Sequence, residues 1–246
     1  FPYTTLFRSY NIGFPAKRIT TQLEWEDMVL DYQVATELEE INVWISSGKT
    51  VMEDWGLSRI LKAGYRSLFY GPPGTGKTLA ATLLGKKNEM DVYRIDLSMI
   101  VSKYIGETEK NLAKVFDLAE NRNWILFFDE ADALFGKRTS TNTSNDRHAN
   151  QEVAYLLQRI EDFPGMVILA TNLRSNIDEA FSRRFQSVIY FPMPTEEQRA
   201  ELWRNMLPGK WLGKDAEELI TMAAEMELSG GSITNVVRRC ALRMIQ

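Results

Sequence analysis

Gly71-Pro72-Pro73-Gly74-Thr75-Gly76-Lys77-Thr78 decides how the rest of the chain is read. The order Gly, four residues, Gly-Lys-Thr is the pattern of a phosphate-binding loop. Each residue type has a physical task there. Gly71, Gly74 and Gly76 let the backbone wrap closely around phosphates with its N–H groups turned inward. Lys77 brings a point charge to the β- and γ-phosphates, and the Thr78 hydroxyl can ligate Mg²⁺. Pro72, Pro73, Thr75 and Leu79 complete the set expected to cradle a nucleotide. The apolar stretch Ser67–Tyr70 before the loop predicts a strand, and the Ala- and Leu-rich stretch from Lys77 to about Lys87 predicts a helix. The dipole of that helix would face the phosphates.

Outward from the loop, strand and helix signals alternate. Strands are expected at Ser67–Tyr70, Val92–Asp96, Trp124–Asp129, Val167–Thr171 and Ser187–Phe191, with helices at Lys77–Lys87, Glu107–Asn121, Asn145–Asp162 and Ile177–Arg184. Trp124-Ile125-Leu126-Phe127-Phe128 and Val167-Ile168-Leu169-Ala170 are near-continuous apolar runs, as strands buried on both faces of a parallel sheet require. The expected fold is therefore α/β, a doubly wound parallel five-stranded sheet with ligands at the carboxyl ends of its strands. Upstream, Tyr10–Thr20 reads as an irregular lead-in. A helix with Leu38, Ile41 and Ile45 on one face is expected to stop at Ser46-Ser47-Gly48, and Val51–Leu61 to form a second short helix. After Pro192-Met193-Pro194 no strand signal remains. Thr195–Leu207, Lys214–Glu227 and Ser232–Met244 read as helices, the first with a capping arrangement of Thr195 with Glu197 and Gln198. The expected division is thus an α/β nucleotide-binding domain over 10–194 and a small helical lid over 195–246. Phe1–Ser9 reads like the in-frame translation of a sequencing-library adapter and is expected to be non-native, packing against nothing. Gln246 ends the chain inside an apparent helix, so the lid is expected to be truncated.

Composition narrows the function classes. Hydrophobic residues make up 44% and charged residues 25% of 246, which is ordinary for a soluble globular protein. A net charge of −4 gives no general bias toward nucleic acid or anionic membranes. The single cysteine, Cys240, excludes an intrachain disulfide and fits a reducing, cytoplasmic setting. The lone His148 and lone Cys240 cannot build a His/Cys metal site. No run of about 18 apolar residues suits a membrane span, and no membrane insertion is expected.

Three further constellations carry chemistry. In Ile125-Leu126-Phe127-Phe128-Asp129-Glu130, two carboxylates emerge at the end of a buried strand. Asp129 is placed to hold Mg²⁺, and Glu130 to orient and deprotonate a water that attacks the γ-phosphate. A bare Asp-Glu strand end is weak by itself; downstream of a phosphate loop it is strong. In Ala170-Thr171-Asn172 an amide at the next strand end can hydrogen-bond the γ-phosphate or that water, although Asn alone is more often a turn former. Finally, Arg183 and Arg184 end the helix expected over Ile177–Arg184. Two adjacent arginines there are normally a solvated, dipole-complementing feature.

Together these elements resemble the AAA+ ATPases, specifically the AAA subgroup with katanin- and spastin-like severing enzymes. The resemblance runs from about Trp25 to Met244. Trp25-Glu26-Asp27 is similar to the family's opening motif, and Ser102-Lys103-Tyr104-Ile105-Gly106-Glu107-Thr108-Glu109-Lys110 to its first pore loop. Asn172 matches its polar sensor, and Arg183 and Arg184 its arginine fingers. The resemblance implies ATP and Mg²⁺ as cofactors and a homo-oligomeric ring, usually a hexamer, with nucleotide between subunits. The fingers would then reach a neighbour's γ-phosphate. Tyr104, with Ile105 beside it, would grip a protein substrate in the central pore. The polar stretch Thr139–His148 would correspond to a second pore-facing loop, in which Arg147 or His148 would face the channel or a neighbour, or simply solvent.

The chain also departs from the family. Met28-Val29-Leu30 stands where the family has Gly-containing residues near adenine. Ser229-Gly230-Gly231-Ser232-Ile233 stands for Ser-Gly-Ala-Asp-Ile, so Gly230 or Gly231 is expected to approach the base closely, with Gly231 counted among the nucleotide-binding residues. Trp44, Gly64-Tyr65-Arg66 and Gly136-Lys137-Arg138-Thr139 are similar to bacterial and phage AAA ATPases, some of them from contractile injection systems. The expected activity is ATP hydrolysis coupled to remodelling, unfolding or disassembly of a protein. The rivals are a nucleic-acid motor or loader, disfavoured by charge and by the lack of an aromatic-basic stretch, and an ATP-dependent scaffold that threads nothing.

Overall fold

The computed structural model describes residues 16–97, 107–120, 122–132, 144–172, 179–211, 213 and 215–245, with backbone alone at 107–112, 144–152, 179–180 and 210. Six strands form one sheet: β1 (Ala16–Ile19), β2 (Tyr65–Tyr70), β3 (Asp91–Asp96), β4 (Trp124–Asp129), β5 (Met166–Thr171) and β6 (Ser187–Tyr190). Their order is β1-β3-β4-β5-β2-β6. The pairs β3–β4, β4–β5, β5–β2 and β2–β6 are parallel. The five-stranded parallel sheet expected from the sequence is present, with β2 starting earlier than expected, at Tyr65, and the other strands close to their expected bounds.

A sixth strand corrects the expectation of an irregular lead-in. β1 pairs antiparallel with β3, from Ala16 opposite Ile95 to Ile19 opposite Val92. Its outward Arg18 binds Asp91 at 2.5 Å. Four residues with two charges give no pattern to read, and short charged strands are how sheet edges resist further pairing.

The apolar runs alternate sides as they enter the two halves of the core. From β4, Ile125 and Phe127 pack against Val34, Leu38 and Ile41 of α1 (Tyr32–Met52) and against Ala80, Ala81 and Leu84 of α2 (Lys77–Lys87). Leu126 and Phe128 face the other way, toward Val115 and Phe116 of α3 (Glu107–Glu120) and Leu156 and Ile160 of α4 (Ser144–Asp162). Complete burial of such side chains stabilises the fold by about 1.5–3 kcal/mol each, and it fixes which strand residues face which helix layer.

α1 does not stop at Ser46-Ser47-Gly48. It continues for 21 residues, with Asp31 capping its start through an Oδ1 that accepts the Gln33 N–H at 2.8 Å. Gly48 is buried, and a Cβ there would lie 3.2 Å from the Trp44 ring, which in turn contacts Tyr65. The glycine is a packing residue inside the helix, so the expected second helix over Val51–Leu61 is in part the end of α1. The rest holds a single 3-10 turn, Leu57–Arg59.

Beyond β6 three helices make a separate apolar cluster: α6 (Glu196–Met206), α7 (Ala216–Ala224) and α8 (Gly230–Ile245), around Trp203, Ile220, Ala224 and Ile233. α5 is the short helix Glu179–Ser182 before β6. The reciprocal cap on α6 is present. Thr195 Oγ1 accepts the Gln198 N–H at 3.3 Å, and Gln198 Oε1 accepts the Thr195 N–H at 2.9 Å. Arg199 is buried and donates to the carbonyls of Pro194 (2.8 Å) and Ala224 (2.6 Å), which ties the proline-rich crossing segment to the end of α7. Among the described residues no helix is long and apolar enough to cross a membrane. Phe1–Ser9 lies outside the described residues.

Candidate active site

The carboxyl ends of β2, β4 and β5 are bound to one another, and the candidate side chains sit on those ends. Gly71 N–H donates to Thr171 O at 3.3 Å, and Ala131 N–H donates to Ala170 O at 2.9 Å. These bonds carry the ladder past the last strand residues, so Glu130 and Asn172 leave adjacent strands side by side. The Thr171 hydroxyl also donates to the Asp132 carboxylate, which fixes the turn after β4 to the base of Asn172.

Beside these ends lies a cleft of about 460 Å³. Pro73, Gly74, Thr75, Gly76, Lys77, Thr78 and Leu79 line it, together with Asp129, Glu130, Asn172 and Gly231. Gly71 and Pro72 do not line it. Their carbonyls instead accept the Lys77 ammonium, each at 2.8 Å. Gly71 has a second reason to be glycine: at φ +143° its Cβ would stand 2.1 Å from the Phe191 carbonyl oxygen.

The cleft fits a polyphosphate. Lys77 is buried, yet among the described residues it is paired with no carboxylate and rests only on the two carbonyls. Burial pushes its pKa down to about 8, while the nearby Asp129 and Asp132 pull it up. A cation desolvated in this way gains from an anion in the cleft. Gly74 (φ +77°) and Gly76 (φ +101°) take backbone conformations that side chains resist. Two helix N-termini meet there, because Gly231 N–H of α8 donates to Gly74 O at 3.0 Å. A Cβ on Gly74 would meet Ser229 Oγ at 2.5 Å, so the loop and the segment that opens α8 are in direct contact.

The carboxylates are set for different work. Asp129 Oδ1 accepts the Glu130 N–H at 3.0 Å and Oδ2 accepts Arg94 Nη2 at 2.9 Å, leaving each oxygen a further lone pair for a cation or its water. With the Thr78 hydroxyl, the hard oxygen donors suit Mg²⁺. Glu130 has φ +54°, a left-handed conformation that costs a non-glycine residue about 1–2 kcal/mol. Strain of this kind is held where the surrounding structure enforces it. It leaves the Glu130 side chain exposed at the cleft, where it can accept a proton from water.

The part of the cleft expected to take the base was only partly legible in the sequence. Met28, Val29 and Leu30 do line the cleft, joined by Val34 of α1 and by Gln198, Leu202 and Met206 of α6. The last three recur at every fourth residue, so one stripe of α6 closes the cleft, with Gly230 and Thr234 of α8 beside it. That spacing was visible in the sequence, but only the docking of the helices shows which stripe faces inward.

Arg183 and Arg184 are exposed and do not line the cleft. Arg184 pairs with Glu161 at the end of α4, whose backbone carbonyl accepts Arg66 Nη1 at 2.8 Å. Arg66 is the second residue of β2, whereas the phosphate loop follows the last, about 17 Å away at about 3.3 Å per residue. Tyr104 and Ile105 lie outside the described residues, as do the side chains of Arg147 and His148.

Comparison with known proteins gives the family of the chain. The model for the ATPase family associated with various cellular activities (AAA) matches residues 67–193. The chain is 42% identical over 146 residues to Cell division protein C of Sulfolobus acidocaldarius, covering 55% of this chain and 38% of that one. It is 34% identical over 189 residues to a katanin p60 ATPase-containing protein of Danio rerio, covering 71% of this chain and 38% of that one. The chain thus spans less than half the length of these curated relatives. The crystal structure of the FIGL-1 AAA domain is similar over 94% of this chain and 76% of its own, with a TM-score of 0.70 at 25% identity.

Proposed function

The chain belongs to the AAA family of ATPases, and on that footing we propose that it is the Mg²⁺-dependent motor module of a homo-oligomeric ring, a hexamer, that remodels a protein substrate through a central pore. The observation that carries the reading is the split between the cleft and the arginines. One chain brings Lys77, Thr78, Asp129, Glu130 and Asn172 to a single cleft, while Arg184 is held beside the opposite end of the sheet.

Bound ATP supplies the phosphoryl group and Mg²⁺ the charge that neutralises its oxygens. The chain's own residues do the rest. The glycine-rich loop and the start of α2 direct N–H groups at the phosphates, and Lys77 exchanges two carbonyls for an anion. Thr78 and Asp129 offer oxygens to the metal. Glu130 takes the proton of the attacking water, and the neighbouring Asn172 amide orients that water. Arg183 and Arg184 act on the site of the next protomer, where such residues are worth roughly 10³–10⁵ in rate. Gly231 and the α6 stripe close on the base, so closure of the lid follows the state of the nucleotide. The likeness to a katanin protein and to a cell division protein, by their names, supports a protein assembly as substrate, with Tyr104 and Ile105 as the gripping pair.

Native mass measurement with a non-hydrolysable ATP analogue tests the ring, with hydrolysis per chain followed against concentration. A hexamer and a rate per chain that rises with concentration are expected. A chain that stays monomeric at full activity overturns the reading.

A further inference from the structure

Arg94 has no part in the hydrolytic chemistry, yet it is bound to one of the carboxylates that does. It lies on β3 opposite Phe127 of β4, two positions short of the point where Asp96 and Asp129 face each other. Residues two apart share a face of a strand, so Arg94, Asp96 and Asp129 lie on the same side. Facing carboxylates repel, and the Arg94 guanidinium is a cation within reach of that pair. Its Nη2 lies 2.9 Å from Asp129 Oδ2. The Glu130 N–H holds the other oxygen at 3.0 Å. The carboxylate is thus gripped from both sides.

The cleft itself holds another cation with reason to take Asp129. Lys77 is buried and within the electrostatic reach of Asp129 and Asp132, but its Nζ donates to the carbonyls of Gly71 and Pro72. A direct Lys77–Asp129 pair would occupy both the phosphate-binding cation and the metal-directed anion, and nucleotide would have to break it. We infer that Arg94 is a positioning residue that holds Asp129 away from Lys77, so that the ammonium stays open to phosphate and the carboxylate to metal. The inference rests on the nucleotide reading of the cleft. The Arg94 side chain is 43% exposed and that of Asp129 20%. At such exposure an ion pair adds little stability, so its effect falls on the site and not on the fold.

The test is binding of a fluorescent ATP analogue in EDTA, where metal plays no part. Arg94→Ala is expected to weaken binding about fivefold, because an ion pair worth about 1 kcal/mol forms between Lys77 and Asp129 and must be broken. Arg94→Lys keeps affinity within about twofold of wild type. In an Asp129→Asn background Arg94→Ala changes nothing further, since no carboxylate remains to trap Lys77. Equal affinity of wild type and Arg94→Ala overturns the inference, even if the melting temperature falls. So does an equal loss with and without the Asp129 carboxylate, which would mean that Arg94 acts on the phosphates through space. A wild-type chain that binds no nucleotide overturns the nucleotide reading itself.

Discussion

The two ends of the parallel sheet hold the two halves of the proposed chemistry, and they are built differently. At the carboxyl end, Lys77 is 7% exposed, and backbone bonds between β2, β4 and β5 fix the positions of Asp129, Glu130 and Asn172. At the amino end, Arg183 and Arg184 are exposed after a helix of four residues, and Arg184 is steadied by Glu161. The first arrangement is complete within one chain. The second is exposed and does not line the cleft. On the proposed reading, a second protomer supplies the cation that this cleft lacks.

The largest effect separates the two ends most sharply. Arg183→Ala or Arg184→Ala should lower turnover about 10³-fold or more with nucleotide affinity unchanged. Mixing either with Lys77→Ala should restore part of the rate, since each variant supplies the half that the other lacks. If mixed assemblies show no rescue, the two ends do not cooperate between chains. Next, Glu130→Gln should keep nucleotide affinity and lower turnover by about 10²–10⁴, the range of a lost general base. Equilibrium binding beside single-turnover hydrolysis measures both, and normal turnover removes Glu130 from the role.

A smaller effect belongs to Lys77. Its pKa in the ligand-free chain is pushed down to about 8 by burial. Phosphate favours the charged ammonium, so above about pH 8 binding must take up a proton. Metal-free affinity should fall as pH rises from there, by at most about tenfold per unit. Ligand-free stability moves in the opposite direction. Between about 8 and the ordinary lysine value of 10.5 the unfolded chain holds more protons on this lysine, so stability rises with pH in that window. Read as the difference between wild type and Lys77→Met, a flat profile removes the burial argument.

The smallest effect lies at the amino end. Glu161→Gln should change folding stability by less than about 1 kcal/mol, because both side chains of the Arg184 pair are more than a third exposed to solvent. Since Arg66 binds the backbone carbonyl of residue 161, its anchor survives the substitution. A loss of several kcal/mol on denaturation would show that the amino end is as firmly built as the carboxyl end.

The sequence alone determined the elements whose chemistry is local. The phosphate loop constrains its own backbone through Gly74 and Gly76, and α2 begins at Lys77 as expected. Continuous apolar runs of this length suit strands buried on both faces, so β4 and β5 were legible together with the polar residues at their ends. Tertiary structure decided what depends on a partner surface. β1 exists because β3 offers it an edge, and α1 passes Gly48 because Trp44 covers it. The base end required α6 and α8 to dock before one stripe of Gln198, Leu202 and Met206 faced inward. Arg94 shows the same limit. In the sequence it is one charged residue in a strand, and only the register of β3 on β4 brings it within hydrogen-bond distance of Asp129. Local sequence sets the conformation of an element, whereas contacts between residues distant in sequence depend on packing, which no single segment contains.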